Sequence, residues 1–153
     1  MDYARAGKPI DRWLFSIILT TMLALFSLSA QGNEMNTLSD YRWKNRLILV
    51  QSASGTEGAL QILRDAKAEV DDRDIVWFVN TGTKVISNQG TVSSGVQKQV
   101  KARFEKARND EHVLLIGKDG GVKSREAALN LDAIFERIDA MPMRIREMRT
   151  DSL

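Results

Sequence analysis

The stretch RLILVQSASGTEGALQILRDAKAEVDDRDIVWFV (46–79) decides the architecture. Leu47 to Val50 and Ile75 to Val79 are short, unbroken apolar runs rich in Val and Ile, the pattern of strands covered on both faces. Between them, Ser54 with Glu57 three residues on forms a capping-box pattern that satisfies two exposed N–H groups at a helix start. A helix is predicted from there through about Lys67. Two such strands joined through a helix make a parallel pair. Trp77 and Phe78 alternate across the second strand and are assigned to the core.

Toward the C-terminus, Ser94 and Gln97 repeat the capping arrangement, and Val96, Val100, Phe104 and Ala107 recur at helical spacing. Val113 to Ile116 reads as a third strand, and Lys118-Asp119-Gly120-Gly121 as a tight turn into a weak antiparallel edge strand around Val122. Asn130 is placed to cap a last helix with an apolar stripe of Leu131, Ile134, Phe135, Ile138 and Met141, which Pro142 closes. MRIREMRTDSL (143–153) then reads as a basic tail. The order β-α-β-α-β-β-α, with a central mixed sheet flanked by helices, is an α/β fold of thioredoxin-like order over residues 46–150.

Toward the N-terminus, residues 33–45 (NEMNTLSDYRWKN) read as a lead-in that packs Tyr41 and Trp43 onto the domain. Before it, Arg5, Lys8 and Arg12 precede an apolar run from Trp13 to Ala30 broken only by Ser and Thr, and small residues Ser27, Ser29, Ala30 and Gly32 close it. Residues 1–32 therefore read as a secretory signal, cut after Ala30 or Gly32, which predicts a periplasmic or secreted protein. The alternative is an inner-membrane anchor over 13–30, because the run approaches the roughly 20 residues that span a bilayer. In that case the membrane is contacted through this segment alone.

The chain of 153 residues has no cysteine and one histidine, so disulfides, thiolate chemistry, a cysteine-borne lipid anchor and zinc sites are not expected, and no cofactor is implied. Its 22 basic and 20 acidic side chains are interspersed, which argues against the long-range field of a nucleic-acid binder.

Three segments, LSDYRWKNRLILV (38–50), VLLIGKDGGVKSR (113–125) and LDAIFERIDAMPMRIREM (131–148), resemble the family catalogued as domain of unknown function 4174. The resemblance implies a peroxiredoxin-related, thioredoxin-like domain found in exported bacterial proteins, with no established activity. This chain departs from redox-active relatives in two places. Gln51-Ser52-Ala53-Ser54-Gly55 stands where they carry cysteine, and Asn109-Asp110-Glu111-His112 lacks the proline that thioredoxins place before the third strand.

Candidate binding residues fall in three groups. Ser52, Ser54 and Thr56 lie where the first strand feeds a helix N-terminus able to hold an anion, although ordinary capping accounts for them as well. Trp43 stands among Arg42, Lys44 and Arg46, residue types enriched at binding hot spots, although core packing also suits it. Arg144, Arg146 and Arg149 offer a contact surface on the tail, against the simpler reading of a frayed end. His112 has no identifiable orienting carboxylate for a catalytic role, and Glu69, Asp71, Asp72 and Asp74 lack the spacing and glycine of a calcium loop and read as a solvated loop. Lys98, Lys101, Arg103, Lys106 and Arg108 read as the solvated side of the second helix. No catalytic or metal-binding residues are assigned. The leading expectation is a non-catalytic binding or adaptor module with an envelope partner. The alternatives are a thiol-independent enzyme or a binder of a small anion or stress ligand, using the loop after the first strand.

Overall fold

In the computed structural model, which describes residues 35–51, 56–105, 107–108 and 110–151, five strands form one mixed sheet in the order β3-β2-β1-β4-β5. β1 (Arg46–Gln51) and β2 (Ile75–Asn80) pair in parallel with Ile48 opposite Trp77, as their unbroken apolar runs predict. β4 (Val113–Ile116) runs antiparallel to β1, and β5 (Val122–Glu126) antiparallel to β4. Between these two strands Gly120 takes φ 82, the left-handed geometry that the Asp-Gly turn requires. The fold is α/β.

Alternation along the central strands feeds two separate core layers. Ile48, Val50, Trp77 and Val79 pack under α1 (Thr56–Asp65) and α4 (Leu131–Asp139), through Leu60, Leu63, Ile134 and Ile138. Leu47, Leu49, Val76 and Phe78 pack under α3 (Ser94–Glu105) and the 3-10 turn Leu38–Tyr41. Tyr41 meets Phe78 edge to face, with ring centroids 5.6 Å apart. Asn130 caps α4 as expected, its side chain accepting from the Ala133 N–H at 3.1 Å.

Several elements differ from the sequence reading. The first helix stops at Asp65 and a second piece, α2 (Lys67–Asp72), carries Val70 into the core. Glu69, Asp71 and Asp72 therefore ride on a helix rather than a solvated loop, and Asp74 follows it. β3 (Val85–Ser87), too short to show a period, adds an antiparallel edge to β2. Beyond it the Asn88 side chain stands in for a strand, donating to the Ile75 carbonyl at 3.0 Å and accepting from the Trp77 N–H at 3.1 Å. The cap of α3 falls one residue earlier than expected: Ser93 Oγ accepts from the Val96 N–H, and Gln97 donates back to the Val92 carbonyl. Pro142 does follow the end of α4, but it also opens α5 (Pro142–Asp151), where its missing N–H costs nothing. The supposed tail is a helix. The capping pair of Ser54 with Glu57 falls partly outside the described residues, as does Ser52. Among the described residues no helix is long and apolar enough to cross a membrane.

Candidate functional site

β1 and β2 start at the same edge of the sheet, where the β4–β5 turn also lies because β4 runs the other way. Charge gathers at this edge. Arg46 opens β1 yet is only 1% exposed. Its guanidinium donates to the Arg73 carbonyl and to the Glu147 carboxylate of α5, both at 2.9 Å. The other Glu147 oxygen accepts from Lys118 at 2.7 Å, and Lys118 also reaches Asp74 at 2.8 Å. A second pair of cations completes the attachment of α5. The buried Arg144 binds Asp72 and lies 3.4 Å from Asp139, while Arg73 grips Asp139 at 2.7 Å and stacks 4.6 Å from the Phe135 ring centroid. Burial pushes the Glu147 carboxyl up, but the hydrogen bonds from Lys118 and Arg46 outweigh it and hold the group below its ordinary value. These charges are structural: they fasten a helix with little apolar surface to the domain.

Beside them the chain from Arg42 to Asn45 makes a tight turn whose hydrogen bonds all go to backbone. The Trp43 N–H donates to the Lys118 carbonyl at 2.6 Å, the Asn45 N–H to the Tyr41 carbonyl at 2.9 Å, and the Arg42 side chain to the Asp119 carbonyl at 3.1 Å. This pinning forces Trp43 to φ 65, a left-handed conformation that costs a bulky residue roughly 1–2 kcal/mol. The indole gains little burial in return, since Trp43 is 65% exposed. Arg42 and Lys44 on either side are exposed and make no ion pair among the described residues, and the same holds for Arg103 of α3. Leu38, Tyr41, Arg42, Arg103 and Gly120 line a cavity of about 430 Å³ at this turn. Asp119 also lines it, but is committed to Lys123, whose hydrogen bond draws its carboxyl below the ordinary value.

The family model described as Domain of unknown function (DUF4174) matches residues 37–147, from the residue that opens the 3-10 turn to the carboxylate that pairs with Arg46. The chain belongs to this family. The DUF4174 match thus includes both the Trp43 turn and the Arg46, Lys118 and Glu147 cluster, and stops short of Arg149. No curated protein and no solved structure matches the chain.

Within this DUF4174 domain the sequence candidates separate. Trp43 is exposed rather than packed in the core, because the turn directs it outward. Arg46 and Arg144, expected on a contact surface, are buried and occupied by carboxylates. Arg146 and Arg149 remain exposed on α5. Thr56 begins α1, while Ser52 and Ser54 lie outside the described residues. At the opposite edge, where β1 and β2 end, the buried Asn80 donates to Gln51 at 2.7 Å and accepts from the Gly82 N–H, so its polar groups are engaged locally. His112 is exposed there and its imidazole makes no hydrogen bond among the described residues. The sequence reading missed Glu147, Lys118, Asp139 and Arg73. Arg144 and Glu147, three apart on a segment without an apolar face, were the available signal.

Proposed function

We propose that this protein is an exported envelope protein whose thioredoxin-like domain is a non-catalytic binding module, engaging its partner through the Trp43 turn. The observation that carries the reading is Trp43 itself. Glycine would take φ 65 without strain, and a polar side chain would suit the exposure. Folding gains little from tryptophan at this position, whereas recognition would gain much.

Other features support the remaining parts. The order β2-β1-β4-β5, with a parallel pair followed by an antiparallel hairpin, is the one expected of a thioredoxin-like sheet, with β3 as an added edge. The absence of cysteine removes the nucleophile that such folds use in redox work. The basic, then apolar, then small-residue pattern of residues 1–32 supports export.

A photo-crosslinking amino acid at exposed Ser39, beside this turn, tests the reading in living cells. It should capture an envelope component, Trp43→Gly should abolish the capture, and a crosslinker at Thr83 on the opposite edge should capture nothing. No adduct at Ser39, or capture indifferent to Trp43, sinks the binding-module reading. The purified protein should show no peroxidase or disulfide reductase activity above background.

A further inference from the structure

Resting on the binding-module reading, we infer that the partner of the Trp43 turn is an anionic lipid surface, with the indole among the headgroups and Arg42, Lys44 and Arg103 facing the lipid phosphates. Three observations favour a bilayer over an acidic protein. First, Arg42 and Arg103 have no ion-pair partner among the described residues, and Lys44 meets Asp40 only through a Coulombic attraction without a contact pair, although the neighbouring Arg46, Arg73, Lys118 and Arg144 are all paired. The nearest acid in sequence, Asp40, accepts hydrogen bonds from Thr37 and from the Asn36 N–H, and these, more than the weaker pull of Lys44, keep its carboxyl below the ordinary value. An edge left with this charge fits a dense array of phosphates.

Second, an exposed tryptophan with arginine and lysine beside it is the combination that sits best at a membrane–water interface, where the ring is half solvated and the cations find headgroups. The adjoining cavity, lined by Arg42 and Arg103 with Leu38 and Tyr41, and by an Asp119 already paired with Lys123, offers room for a headgroup.

Third, the apolar run that ends at Ala30 is eight residues from Leu38. Eight extended residues reach at most about 29 Å. While that run occupies the bilayer, during export or as an anchor, Leu38, on the 3-10 turn that leads into Trp43, stays within that distance of the lipid.

The cysteine-free chain makes the test direct, because a single cysteine takes a single probe. The full-length protein carrying Ser39→Cys, labelled with an environment-sensitive fluorophore, is reconstituted into phosphatidylcholine vesicles with and without phosphatidylglycerol. Emission at Ser39 should shift to the blue only with phosphatidylglycerol and revert in high salt, while a probe at Thr83→Cys stays unchanged. Replacing Arg42, Lys44 and Arg103 together by alanine should lower the docked fraction at least roughly tenfold, since each cation near an anionic leaflet is worth roughly fivefold in partitioning. Trp43→Gly should also weaken docking without lowering Tm, which separates loss of docking from loss of fold.

Equal emission in both vesicle types, or docking indifferent to the triple replacement, overturns the lipid assignment. The in-cell crosslinks distinguish the two levels of the argument. A lipid adduct at Ser39 supports both, a protein adduct alone overturns the lipid assignment and leaves the binding module standing, and no adduct removes both.

Discussion

Arg46 and Arg42 are four residues apart and serve the same edge of the sheet, yet one is buried and bound to a carboxylate while the other is exposed and bound only to a carbonyl. Around Arg46, four cations and four carboxylates interlock across β1, α2, the β4–β5 turn, α4 and α5. Around Arg42, a strained tryptophan and three cations stand without a salt bridge among the described residues. A protein that pairs charges this closely in one place has the means to pair them in the other. The difference accounts for the first cluster as a source of stability, and it is the ground on which recognition is proposed for the second.

The largest test of this division strikes the buried cluster. Glu147→Gln leaves a fully buried guanidinium without its counterion and should cost about 2–3 kcal/mol, below the usual 3–5 for a broken buried pair because Glu147 keeps some solvent contact. Chemical denaturation measures it. Replacing both partners, Arg46→Met with Glu147→Leu, should recover most of that loss, and failure to recover would assign Arg46 a role beyond pairing.

Acid should act on the same cluster more gently. Glu147 is held below its ordinary value near 4.5 in the folded state, so its contribution is fully present above that value and fades as pH falls through the lower folded value. Hydrogen exchange should therefore show α5 opening first as pH drops below about 4.5, ahead of the central strands. Uniform opening of α5 and β1 would mean that the ion pairs do not govern this helix.

The smallest expected effects belong to the exposed turn. Trp43→Gly should leave Tm unchanged or raise stability by up to about 1 kcal/mol, since relief of the left-handed strain offsets the entropy that glycine adds to the unfolded chain. Arg42→Ala and Lys44→Ala should each change stability by less than about 0.5 kcal/mol. A large loss in any of the three would make the turn a structural element and erase the contrast.

What the sequence made legible follows from periodicity. The runs 47–50, 75–79 and 113–116 announced three covered strands, and the Asp-Gly pair and Asn130 announced a hairpin and a cap. β3 was too short for any period to emerge, and α5 has no apolar stripe by which to be seen as a docked helix. The site was less readable for a related reason. Burial of Arg46 depends on Glu147, a pairing across 101 residues that leaves no local pattern. The exposure of Trp43 depends on a hydrogen bond to Lys118, on a turn that arrives far later in the chain. A tryptophan beside a strand resembles a core residue until that bond fixes its backbone.

The pairing of Arg46 with Glu147 also orders events in time. Residues so far apart in the chain carry a larger loop-closure cost than the local contacts of the hairpins and helices, so α5 is expected to dock after the sheet has gathered. Until it does, the guanidinium at the head of β1 lacks its counterion. A chain cut short before Glu147, by premature termination or by a protease, would hold the same sheet and the same helices around an unanswered charge. The stability of the first strand thereby depends on a residue 101 positions further along the chain.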